Sequence, residues 1–168
     1  MGSERKIHIV GSVGSGKTTL AKKLSSELNI PYYEIDNIIF ERQPSGDCRR
    51  SDEEIVKRIE EISKTETWIL EGTSTKEWVI NSFKNADSII FLDTPYFIRV
   101  KRILFRYVKQ VLKVEKANYK PTFSMLINMF KWNHKFNKVN KTEFYKLTQE
   151  YKNKVRIYPS KLNKGERN

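Results

Sequence analysis

The chain has 168 residues, a hydrophobic fraction of 38% and a formal net charge of +12, enough for one domain that buries its own core without disulfide staples. Its single cysteine, Cys48, cannot pair within the chain, no apolar run is long enough to cross a bilayer and no signal peptide is read at the N-terminus, so a cytoplasmic setting and no membrane partner are expected. The charge is unevenly placed: residues 1–98 hold 13 Lys and Arg against 16 Asp and Glu, whereas residues 99–168 hold 19 against 4, and such a field attracts polyanions.

Lys6–Val10 alternates, is β-branched and stops at Gly11, which predicts a first strand. Beyond it Leu20, Leu24 and Leu28 recur every fourth residue, an amphipathic helix ended by Asn29 and Pro31. Tyr32–Ile35 predicts a short second strand, and Gln43-Pro-Ser-Gly-Asp47 is turn chemistry. Ser51 ahead of Asp52, Glu53 and Glu54 is an N-cap followed by acids that suit the helix dipole. Ile55, Ile59 and Ile62 give that helix its apolar face. Thr67–Glu71 and Ser88–Leu92 are continuous apolar runs, as in strands buried on both faces of a parallel sheet, with a helix between them from about Lys76 to Lys84.

From Pro95 the pattern is helical to about Leu112, with Val100, Ile103 and Leu104 expected on the buried side. Two further helices are expected over 122–136 and 142–153, and a last strand over Val155–Tyr158. Strands alternating with helices predict an α/β fold, a doubly wound parallel sheet of about five strands. No repeat or linker divides it, so residues 1–168 read as a single domain. The basic segment at about 107–153 is expected to act as a helical lid.

The strongest motif is Gly11-Ser12-Val13-Gly14-Ser15-Gly16-Lys17-Thr18, which matches the phosphate-binding loop pattern throughout. Glycines let backbone N–H groups approach phosphate oxygens, and the loop feeds a helix N-terminus that favours anions. Lys17 can reach the β- and γ-phosphates of ATP, the Thr18 hydroxyl can ligate Mg²⁺, and Thr19 continues the first turn. The nearest approach to a guanine-reading motif, Asn137-Lys-Val-Asn140, has Asn where the selective carboxylate belongs, which argues against a GTPase.

Three further features fall where a small-molecule kinase needs them. Asp36 follows the second strand, where doubly wound sheets bind ligands; it is read equally as an acceptor contact or as a cap on the next helix. Glu71, at the end of a buried strand and followed by Gly72, is a second candidate for the Mg²⁺ site, since a carboxylate buried there requires a metal or basic partner. Arg99, Arg102 and Arg106 share a helix face, and guanidinium forks suit a transferring phosphoryl group. Arg49 and Arg50 complete the acceptor-side candidates. His8, His134 and Cys48 carry no assigned role.

The loop together with Ile30–Asp36, Trp68–Gly72, Ala86–Pro95 and the arginine helix resembles the P-loop kinases labelled DNA topology modulation proteins, relatives of the adenylate and shikimate kinases. The resemblance runs from about residue 6 to residue 162. It implies an acid-Gly pair at Glu71-Gly72, phosphate-binding arginines at Arg102 and Arg106, and an adenine-contacting loop at Pro159-Ser160-Lys161. The acceptor motif of nucleoside monophosphate kinases is missing, because Glu71-Gly-Thr-Ser-Thr75 lacks its Pro and Arg. Two readings follow. One is a kinase using ATP and Mg²⁺ on a small-molecule phosphate acceptor, such as a nucleotide or nucleoside. The other is a nucleic-acid-binding ATPase that modulates DNA topology, with aromatics at Tyr107, Tyr119, Phe123, Phe130, Trp132 and Phe136 along its basic half.

Overall fold

The computed structural model describes residues 4–43, 46–115 and 121–159. In chain order, β1 (Lys6–Gly11) leads to α1 (Lys17–Leu28), β2 (Tyr32–Glu34), α2 (Ile35–Ile39), the short β3 (Phe40–Glu41) and β4 (Cys48–Arg49), α3 (Asp52–Lys64) and β5 (Trp68–Gly72). There follow α4 (Ile80–Asn85), β6 (Ser88–Asp93), α5 (Tyr96–Val111), α6 (Phe123–Lys135), α7 (Lys141–Leu147) and β7 (Val155–Pro159). Five strands form one parallel sheet in the order β2-β5-β1-β6-β7. The doubly wound fold expected from the sequence is therefore present. No described helix is long and apolar enough to cross a membrane.

Strand periodicity divides the core in two. Ile7, Ile9, Ile69 and Ile90 face α1 and meet Ala21, Leu24 and Ile30. The alternate residues Val10, Trp68, Leu70, Ile89 and Phe91 face the other side, against Ile35, Ile55, Ile59, Phe83, Phe136 and Phe144. Phe91 stacks on Phe144 with ring centroids 4.5 Å apart. Helix α3 begins with the full reciprocal cap that Ser51 and Glu54 encode.

Local departures from the expected elements have physical causes. The second strand stops at Glu34, because Ile35 turns into α2 and is fully buried against the sheet. The turn near Gly46 closes a small antiparallel pair, β3 with β4, where no strand was expected. The helix expected from Lys76 starts as a 3-10 turn at Glu77–Val79 before α4. The segment expected over 142–153 divides into α7 and a 3-10 stretch, Gln149–Lys154.

One expectation about packing is corrected: helix α5 does not bury Leu104, which is exposed; Arg99, Ile103 and Gln110 form its buried side. Part of the segment 107–153 also joins the core of the sheet. Phe136 and Phe144 are fully buried in the main core, which anchors α7 and the turn before it.

Candidate active site

β1 ends at Gly11, and the loop that follows delivers the chain to α1. Gly14 adopts φ +74°, and a Cβ there would come within 3.0 Å of the Arg99 carbonyl oxygen and 3.1 Å of Ile103. A side chain is excluded by conformation and by the close pass of α5 together. Gly16 takes the left-handed N-cap position of α1, no side chain among the described residues caps the helix, and its first turn holds no acid. The helix start thus keeps its dipole and its N–H groups free of competing side chains.

The side chains of the loop converge. Lys17 Nζ donates to the Ser12 carbonyl at 3.0 Å. The Thr18 hydroxyl donates to Glu71 Oε1 at 2.6 Å. Strand parity explains this contact: Ile9 pairs with Glu71 across β1 and β5, so Glu71 lies on the same face as Ile69, beneath α1. The carboxyl is buried, and desolvation raises its pKa above the ordinary glutamate value, opposed by Lys17 and by the Thr18 hydrogen bond. Glu34 and Asp36 add a smaller push in the same upward direction.

The arginines of α5 have three different fates. Arg102 reaches the loop, donating to the carbonyl of Ser15 at 2.9 Å and of Gly14 at 3.4 Å. Arg106 turns toward α6, where its Nη2 lies 3.5 Å from the Met129 sulfur. Arg99 is buried, donates to Asn137 Oδ1 and lies over the rings of Tyr96 and Phe136. Desolvation lowers its pKa from the usual arginine range, with nearby Asp93 opposing. The structure therefore brings Arg102 to the loop and leaves Arg106 beside it.

On the acceptor side, Asp36 is exposed in the first turn of α2. Both neighbouring arginines are already engaged: Arg49 pairs with Asp52 at 2.5 Å, and Arg50 donates to the carbonyls of Asn37 and Ile38 at the end of α2. Gly72 allows Ile35 to cross β5, since a Cβ there would fall 2.7 Å from Ile35 Cβ. A cleft of about 520 Å³ opens between β2–α2 and α3, lined by Glu34, Asn37, Arg58 and Glu61 among others. Ser160 and Lys161 lie outside the described residues.

Two residues that the sequence did not single out support the loop from behind. Ser12 Oγ donates to Asn133 Oδ1 at 3.2 Å, both residues being fully buried. Thr94 Oγ1 donates to the Ser15 carbonyl at 3.0 Å. Neither has a motif; only the Thr-Pro step after β6 hinted at Thr94.

The profile of the AAA domain family matches residues 7–117, which take in the loop, the Glu71 strand and α5. The chain belongs to the AAA domain family. Among characterised relatives, it is 27% identical over 108 residues to a shikimate kinase of Aquifex aeolicus strain VF5, an alignment covering 58% of this chain. It spans 64% of that relative's length. Among solved structures, the shikimate kinase of Acinetobacter baumannii in complex with shikimate superposes with a TM-score of 0.59 at 17% identity, over 97% of this chain and 86% of that one. The shikimate kinase of Bacteroides thetaiotaomicron gives a TM-score of 0.50 at 14% identity, over 89% and 99%. This AAA domain protein thus has the P-loop fold of shikimate kinases, whereas these comparisons do not bring out the DNA topology modulation label.

Proposed function

We propose that the protein is an ATP-dependent phosphotransferase acting on a small-molecule acceptor. The observation that carries this reading is the joining of Thr18 to a buried acid, Glu71, at the mouth of a complete phosphate-binding loop. The uncapped first turn of α1, the left-handed Gly14 and Gly16, and Lys17 suit a nucleoside triphosphate. Thr18 and Glu71 supply the oxygen donors that Mg²⁺ takes. When bound, Mg²⁺ would neutralise charge on the phosphates.

The chain's own part is positioning. Lys17 presents a cation at the loop, Arg102 adds a guanidinium held by the loop's carbonyls, and Glu71 orients Thr18. Phosphoryl transfer needs little more than placement and charge stabilisation. We assign Asp36 to the acceptor side. Arg49 and Arg50 stay assigned to the acceptor side as well: Arg49 braces Asp52 and Arg50 the carbonyls at the end of α2, and five N–H groups per guanidinium leave room for a further partner. Shikimate is the first acceptor to test, given the named activity of the relatives. Nucleosides, mononucleotides and small sugars come next, because one fold serves many different substrates. The test is an ATP-turnover screen followed by detection of a phosphorylated product. Turnover with none of these acceptors and no ATP binding would overturn the reading.

A nucleic-acid-binding ATPase is favoured by one observation, the excess of 19 Lys and Arg over 4 Asp and Glu in residues 99–168. Its proposed stacking row is less supported. Phe136 is buried in the core and Phe130 packs against Ile103, Leu126 and Met129, leaving Phe123 and Trp132 exposed. Tyr119 lies outside the described residues.

A further inference from the structure

Helix α5 is built inside out. Its inward face carries Arg99, Arg102 and Arg106 toward the phosphate-binding loop and α6. Its outward face carries Phe97, Leu104, Phe105, Val108 and Leu112, the last at its C-cap, with Phe97 82%, Phe105 63% and Leu112 67% exposed. Spacings of seven, one, three and four residues place these side chains on one stripe. A stripe about 24 Å long follows from sixteen helical residues. Single exposed apolar residues need no explanation, but a contiguous row does.

Its flanks say what could cover it. Lys101 and Lys109 are exposed on the helix and Lys113 just beyond its C-cap, and Lys109 Nζ lies 5.3 Å from the Phe105 ring centre. No Asp or Glu occurs from Thr94 through Val114. A second copy would bring two such cationic helices together with nothing on either to neutralise the other. Single-stranded nucleic acid offers phosphates for the lysines and bases that stack on phenylalanine, but nothing apolar for the exposed aliphatic residues Leu104, Val108 and Leu112. The stripe is also a convex ridge, which a deformable surface can receive without a matching groove.

We propose that the outward face of α5 is a docking surface for an anionic membrane, the phenylalanines and Leu112 entering the acyl boundary while the lysines reach lipid headgroups. The contact is peripheral and holds the domain by the helix whose opposite face touches the phosphate-binding loop.

The experiment is vesicle flotation with the full chain, comparing phosphatidylcholine vesicles with vesicles containing about 30% phosphatidylserine. Wild-type protein is expected to float with the anionic vesicles only. Phe105→Ser combined with Leu112→Ser should weaken that binding by about tenfold or more, because buried apolar area is lost. Lys101→Glu with Lys109→Glu should abolish it. Circular dichroism and nucleotide affinity of each variant report whether the fold is intact, since none of these side chains touches the loop. Three results would overturn the proposal: no flotation of wild type, flotation unchanged in the Phe105/Leu112 variant, or a self-associated species that the same variant dissolves.

Discussion

Thr18 and Glu71 stand 53 positions apart in the chain and share a hydrogen bond of 2.6 Å. The contact exists because α1 starts over the end of β5 and because strand parity turns Glu71 toward that helix. It places a desolvated carboxyl where function benefits and stability does not. Glu71→Gln should therefore separate the two. Gln still accepts from Thr18 but cannot offer a charge to a metal, so turnover should fall by about a hundredfold or more. The raised pKa means that the folded state costs most where Glu71 should ionise, above its ordinary value near 4.5. Relative to wild type, the variant's melting temperature should rise at pH 8 and converge at pH 4. Thermal melts at the two pH values check this; a lower melting temperature at pH 8 would contradict it.

Lys17 Nζ donates to the Ser12 carbonyl within the loop, and the side chain is not part of the hydrophobic core. Lys17→Ala should weaken ATP affinity and abolish turnover while leaving the fold intact. Calorimetric titration with ATP, and with GTP for comparison, is the measurement. A folded variant with normal turnover would remove the phosphate-binding role.

The two half-buried arginines of that face, Arg102 and Arg106, should behave differently. Arg102→Ala should lower kcat by about a hundredfold if its charge meets the transferring group, and Arg102→Lys should also be impaired, because an ammonium cannot present a planar fork. Arg106→Ala should cost much less, since its guanidinium lies on Met129. Steady-state kinetics on the three variants decides; equal losses at Arg102 and Arg106 would mean that α5 shifts when substrates bind.

Asn133 is expected to hold the loop through Ser12. Asn133→Leu should lower ATP affinity several-fold, with a stability change of about 1 kcal/mol. A double-mutant cycle with Ser12→Ala should return a coupling of at least about 0.5 kcal/mol. Additive effects would assign Asn133 to packing alone.

His8 sets an acid limit. It is fully buried, its Nδ1 lies 2.9 Å from Ser82 Oγ, and that hydroxyl gives its own proton to the Val79 carbonyl. Nδ1 must then be the donor, leaving Nε2 as a buried acceptor without a partner among the described residues. Burial lowers the pKa from 6.5 to about 3. The unfolded chain therefore binds the proton first, and stability should decline as pH falls below about 6.5, by up to roughly 1.4 kcal/mol per pH unit until pH 3. His8→Leu should flatten that limb in denaturant titrations at pH 7, 6 and 5.

The sequence by itself determined the sheet, the phosphate-binding loop and the α3 cap, because each rests on local patterns: alternation, glycine spacing, and an N-cap three residues before its acid. Glu71 was legible for a related reason, a charge at the end of an apolar run. What the tertiary structure alone decided was which side chains meet. Nothing local distinguishes Arg102 from Arg106, since both lie on one face; only the height of α5 over the loop sends one to Ser15 and the other to Met129. Periodicity put Leu104 inside, yet the arginine face is turned inward, where the loop's carbonyls offer partners to Arg102 and Asn137 offers one to Arg99. Asn133 carried no signal, because its partner Ser12 lies 121 positions away, and a contact of that range exists only once the sheet has brought β1 and α6 together.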